Sequence, residues 1–146
     1  MKIKTYIKRG DKFSALHDPL TKIEDPYYIE GAIYIEHNGR VFMGLDFYDL
    51  VDQLWSCIVG AAYDLNRDKE SEFYFPDQPV EMVFKLIKPG LVKIILGPEK
   101  SGITLPKSEF IHCVKESATE FFQKMNELVP GDTASWNECL GRIAAI

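Results

Sequence analysis

Residues that commonly carry chemistry are scarce in this chain. Its three cysteines, Cys57, Cys113 and Cys139, are far apart and odd in number. With no C-x-x-C pair, zinc-ribbon and thioredoxin-like sites are excluded. The three thiols are expected to be buried and free. There are also only three histidines, His17, His37 and His112. His112 is next to Cys113, but consecutive helical residues do not face each other, so the two are not a nucleophile and its base. His37 is expected to be exposed on a hairpin tip. Neither a G-x-S-x-G elbow, nor a G-x-G-x-x-G turn, nor a Walker loop occurs among the ten glycines. Serine-hydrolase, dinucleotide and P-loop chemistry therefore lacks its motif. No catalytic residue, metal ligand or cofactor is assigned.

Long apolar runs are missing too. None approaches the roughly 20 residues that span a bilayer. The opening MKIKTYIKRGDK lacks the apolar centre of a secretory signal. A cytoplasmic protein with no membrane contact is expected. A basic stripe is also absent: 17 Lys and Arg are scattered among 22 Asp and Glu, for a net charge of −5. An acidic chain repels the nucleic-acid backbone. A basic protein is the partner its charge fits, and no nucleic acid is expected.

What is present builds a core. The 146 residues are 46% hydrophobic, with nine Phe, seven Tyr and two Trp, enough for one domain over 1–146. KIKTYIK alternates as a strand does, with Ile3, Thr5 and Ile7 on one face. RGDKFSALHDPLTKIEDPYY shows no period; it is expected to hold a short helical turn near Phe13–His17 or to be a mobile surface loop. YIEGAIYIEH-NG-RVFMGL reads as a hairpin about a type I′ Asn38-Gly39 turn. In that register Ile35 faces Phe42, and Met43 points to the other side.

From Asp46 an amphipathic helix runs through DFYDLVDQLWSCIVGAAYDLNRD, capped by Asp46 and helped by Asp49 in its first turn. In FYFPDQP, Phe73 to Pro79, residues 75–78 fit a type I turn. Pro79 belongs at a strand start, so the stretch aims a Val80–Ile87 strand, with Phe73 and Phe75 in the core. Leu91–Leu96 follows a Lys88-Pro89-Gly90 turn. A second helix runs from Pro106 or Ser108 to about Leu128, and a short last helix is capped by Asp132 or Thr133. This order predicts an α+β fold. It has a mainly antiparallel sheet of about five to six strands, with two long amphipathic helices and a short C-terminal helix packed on one face.

Asp46, Asp49 and Asp52, at three-residue steps, fan out around a helix and do not converge on a metal. With Tyr48 they make an acidic, tyrosine-bearing patch suited to a basic partner. Asp77 and Gln78 are the other candidates. Gln78 precedes a proline and is held extended, and turn geometry does not explain its side chain. The hairpin tip is a second choice of patch.

The order of hairpin, Trp-bearing helix (LVDQLWSCIVGAAYDL), F-x-F-P-D-Q-P, strands and Phe-rich helix (SEFIHCVKESATEFFQKM) covers about residues 30–128. In that order, in size and in acidity the chain resembles the small immunity proteins of bacterial polymorphic and contact-dependent toxin systems. The resemblance implies a stoichiometric binder that blocks a cognate toxin without a cofactor. Two other classes are open. One is a ligand-binding or enzymatic domain with a pocket between sheet and helices, holding His17 or His112 beside a carboxylate. The other is a homo-oligomeric subunit that buries its tyrosines.

Overall fold

The computed structural model describes residues 1–131 and 134–146. Its strands are β1 (Lys2–Arg9), β2 (Lys12–Ala15), β3 (Glu30–His37), β4 (Arg40–Met43), β5 (Asp49–Leu50), β6 (Ser71–Tyr74), β7 (Glu81–Lys88), β8 (Leu91–Leu96) and β9 (Ser101–Pro106). Its helices are α1 (Val51–Asn66), α2 (Lys107–Leu128) and α3 (Ala134–Ala144). The proposed caps of α3, Asp132 and Thr133, lie outside the described residues.

The expected α+β class holds, and every strand pairing is antiparallel. The strands form two sheets where one was expected. The first runs β2-β1-β3-β4, with β5 also on β3; the second runs β6-β7-β8-β9. They approach where β4 touches β9, and α1 and α2 each pack against both. The core is built from large side chains of both helices and of the second sheet. Trp55, Phe84, Phe110, Phe121 and Phe122 are all fully buried. Trp55 stacks on Phe121 at 6.4 Å, and Phe84 meets Phe110 at 5.6 Å. The core-facing side of β1 is Ile3, Thr5 and Ile7, as its alternation predicts. Buried Thr5 accepts the indole N–H of Trp55 at 3.0 Å, which satisfies a donor that would otherwise be stranded in the core.

Four local expectations need correction. The segment after β1 is neither a helical turn nor a bare loop. Gly10, at φ +62°, turns the chain so that β2 pairs back on β1 from Arg9↔Lys12 to Tyr6↔Ala15. In the β3–β4 hairpin the turn is as read, with φ of 51° at Asn38 and 75° at Gly39. However, a bulge between Ile35 and Glu36 shifts the register, so Ile35 faces Met43 and Met43 is buried. His37, on the same face of β3 as Ile33 and Ile35, is not at an exposed tip either. Its side chain is only 12% exposed, and its Nδ1 lies 3.9 Å from Glu109 on α2. Of the thiols only Cys139 is buried; Cys57 and Cys113 are half-exposed, and all three are free.

The fourth correction concerns α1, which begins at Val51 and not at Asp46. Leu45–Phe47 is a single 3-10 turn, and Asp49–Leu50 is extended and pairs with Glu30 and Gly31 of β3. Gly31 makes this possible. A Cβ there would sit 2.3 Å from the Tyr6 carbonyl oxygen and 3.0 Å from the Val51 side chain. No other residue type lets the start of α1 lie so close to β3. Extended Leu50 is therefore the N-cap residue of α1 and provides no side-chain cap, and the Val51 N–H goes to the Ile29 carbonyl at 2.9 Å.

Candidate functional site

FYFPDQP is the closed end of a hairpin. The four residues before Phe75, Ser71–Tyr74, form β6 and pair with β7 from Ser71↔Phe84 to Tyr74↔Glu81. The Phe75 N–H reaches the Val80 carbonyl at 2.8 Å and closes the loop. Phe75 is buried against Phe47, and half-buried Phe73 stacks on Phe84. Both prolines sit inside the connection, where a missing N–H costs no ladder bond.

The loop is held by Asp49. This carboxylate is only 3% exposed. Its Oδ1 accepts the Leu50 N–H at 2.6 Å and the Asp77 N–H at 3.0 Å, and its Oδ2 accepts the Gln78 N–H at 2.9 Å. The Gln78 side-chain amide donates to the Tyr48 carbonyl. So Asp49 does not present charge to solvent from a helix. It is a buried acceptor that ties the β6–β7 hairpin of one sheet to β5 of the other. Gln78, whose side chain turn geometry left unexplained, completes the same tie.

Four of the six candidate residues therefore come together: Tyr48, Asp49, Asp77 and Gln78. The remaining two do not join them. Asp46 stays exposed on the 3-10 turn. Asp52, in the first turn of α1, faces α3 and accepts the Trp136 indole N–H at 3.5 Å. Burial pushes its carboxyl above the ordinary range, and the bonds from Trp136 and from backbone N–H groups oppose that only in part.

From sequence, Tyr27 and Tyr28 count among the exposed aromatics suited to an interface, but nothing there joins Tyr28 or Glu30 to the surface around the tie. Tyr28 is 52% exposed, and its phenol is pushed above the ordinary tyrosine range, first by Glu30 and then by partial burial, Asp77 and Asp49. The pairing of Glu30 with Leu50 and of Gly31 with Asp49 sets Glu30, and Tyr28 two residues before it, next to the tie. Tyr48 is half-exposed between Phe13, 6.2 Å away, and Lys8, whose ammonium lies 4.6 Å from its ring. Lys8 also stands 4.0 Å from Glu30 and offsets part of the charge. Adjacent Tyr27 is 90% exposed. Tyr27 and Tyr28 carried a signal in sequence, as consecutive tyrosines after Asp25-Pro26. The long-range pairing of β3 with β5, which brings Tyr28 next to the tie, carried none.

His17 and His112 each lie 3.6 Å from a carboxylate of α2, Glu120 and Glu116 respectively. His17 is 63% exposed and His112 78%. His112 borders an open hollow of about 820 Å³ along α2, and His17 borders one of about 300 Å³ lined by Ile3–Tyr6 of β1, Ala15, Leu16 and Ser117 and Glu120 of α2. The hollow beside His17 does lie where α2 meets the first sheet and sets that histidine beside the Glu120 carboxylate, as the ligand-binding alternative requires, but both side chains are more than half exposed there. Among the described residues no group of His, Cys, Asp and Glu is placed to hold a metal, and no helix is long and apolar enough to cross a membrane. Comparison with protein-family models, curated proteins and solved structures finds no match to this chain.

Proposed function

We propose that this chain is a non-enzymatic protein-binding domain, an immunity-type inhibitor that covers a basic surface of a cognate bacterial toxin in the cytoplasm. The observation that carries the reading is the Tyr27, Tyr28 and Tyr48 surface beside Glu30 and Asp77, seated on the Asp49 tie. Tyrosines supply large, rigid contact area with a polar end, and they are enriched at interfaces. Carboxylates around them steer a basic partner and raise its association rate. The tie fixes the backbone of Asp77 and Gln78 before any partner arrives, so less ordering is needed on binding.

The test is affinity capture from the native lysate, run in parallel with the wild type and a Tyr28→Ala, Asp77→Lys double variant. The expected result is one basic protein retained in stoichiometric amount by the wild type and lost from the variant. Retention of no protein, or retention indifferent to the substitutions, would overturn the reading.

A further inference from the structure

The solvent face of the second sheet carries a groove that the tyrosine surface above does not use. Side chains alternate across a sheet, so Phe73, Met82, Phe84, Val92 and Ile94 turn to the core and their neighbours turn outward. The outward residues lie in register. Tyr74 is opposite Glu81, and Glu72 is opposite Val83. Val83 is opposite Ile95, which is opposite Gly102. In the next row Lys85 is opposite Lys93.

The groove therefore has one end with Glu72, Tyr74 and Glu81, where Lys100 of the β8–β9 turn also lines it beside the two carboxylates, an apolar middle, and Lys85 at the other end; it encloses about 450 Å³. Gly102 keeps the middle low: a Cβ there would already lie 3.2 Å from the Lys93 side chain. Tyr74, beside the two carboxylates, is 66% exposed. Its phenol is pushed above the ordinary range first by the charge of Glu81 and its hydrogen bond, with a further push from Glu72. Both carboxylates thus act on one exposed aromatic ring. Directly opposed residues stand about 5 Å apart at Cβ, close enough for one cationic group to meet the ring and a carboxylate together.

We propose that this groove takes an arginine side chain from an extended peptide segment of a partner protein, its guanidinium stacked on Tyr74 and paired with Glu81 and Glu72. Charge complementarity selects the occupant. A planar guanidinium stacks on an aromatic face and forms paired hydrogen bonds to a carboxylate, whereas an ammonium is a compact point charge. The stem of the arginine lies on Val83 and Ile95. An acidic residue a few positions along the peptide meets Lys85 and Lys93. The groove adjoins the tyrosine surface through one element, because Tyr74 and Glu81 are the last ladder pair before the loop that carries Asp77 and Gln78. The proposal deepens the protein-binding reading by naming the chemistry of a partner, but its test does not depend on that reading.

The experiment is a titration of the full chain, followed by amide NMR, with a short blocked peptide carrying one arginine. Peptides carrying citrulline or lysine at the same position are the controls. The expected result is saturable shifts at Glu72, Tyr74, Glu81, Val83 and Ile95 with the arginine peptide. The lysine peptide binds more weakly and the citrulline peptide does not bind. Glu81→Gln and Tyr74→Ala each weaken binding about tenfold, the scale of one charge-assisted contact, with the spectra of both variants still dispersed. Glu72→Gln, further from the strand connection, serves if either of those fails to fold. Equal shifts with citrulline, or arginine binding unchanged in these variants, would overturn the proposal. Tyr28→Ala is expected to leave the arginine titration as it is. Loss of the groove result alone therefore leaves the tyrosine surface standing, and loss of partner capture alone leaves the groove standing.

Discussion

The Asp49 carboxylate accepts the backbone N–H of Gln78 at 2.9 Å across 29 residues of chain and between two sheets. With the Leu50 and Asp77 N–H groups on the same carboxylate, it is a buried acceptor for three backbone donors. Removing it strands backbone donors, each costing about 1–3 kcal/mol when buried without a partner. Asp49→Ala is expected to lower the unfolding free energy by about 3 kcal/mol in urea titration. Asp49→Asn, which keeps one acceptor oxygen, should cost less. Equal and negligible losses would mean that the hairpin loop holds its shape without the tie.

The surface above the tie should behave differently. Asp77 and Tyr28 are exposed, so Asp77→Lys and Tyr28→Ala are expected to change the unfolding midpoint little. Reversing the charge of Asp77 should slow association with a basic partner and flatten its dependence on salt. Truncating Tyr28 should mainly speed dissociation, as loss of an aromatic anchor does. Surface binding kinetics at two ionic strengths separate the two effects. Asp46→Lys is the matched control and should leave both rates unchanged.

Much of this fold was legible because its elements follow simple periods. The Asn38-Gly39 turn, the alternation of β1 and the apolar line of α2 needed only local chemistry. β5 was illegible because two extended residues have no period. Leu50, Val51 and Leu54 continue a helical spacing straight through them. The same false continuation put Asp46 and Asp49 on a helix, and so turned a buried acceptor into a presumed surface charge. β2 was missed because KFSA is short and half-exposed. Met43 was assigned to the wrong face because one bulged residue reverses every side chain beyond it. Gln78 is found by asking what proline geometry leaves unexplained, and Asp77 joins it as its neighbour in the turn. Their partner, Asp49, was among the candidates for another reason.

Asp52 offers a prediction in pH. Its carboxyl is raised above the ordinary value, chiefly by burial, although the start of α1 favours negative charge. A group with a raised folded pKa binds its proton more tightly folded than unfolded. Its favourable contribution is therefore complete below the unfolded pKa and is lost as pH rises through the folded one. At neutral pH the ionised Asp52 is a net cost. Asp52→Asn, whose side-chain oxygen can still accept from Trp136, is expected to raise the melting temperature at pH 7. The gain should shrink as pH falls through the carboxylate range. A variant less stable than wild type at pH 7 would show that the charge favours the fold.

The bond from Trp55 to Thr5 ties α1 to the first sheet at its centre, with both partners buried. Thr5→Val keeps the shape of the side chain but removes the acceptor, leaving an indole N–H with nothing to bond in the core. The expected loss is about 1–3 kcal/mol, with a shift in the emission of Trp55. Thr5→Ser retains the hydroxyl and gives up only a methyl group, about 1 kcal/mol of packing. The order of the two variants is the check. If Thr5→Ser is the more damaging, the methyl contact holds this junction and the hydrogen bond is incidental. If Thr5→Val is, the indole–hydroxyl bond holds the helix to the sheet at this point in the core.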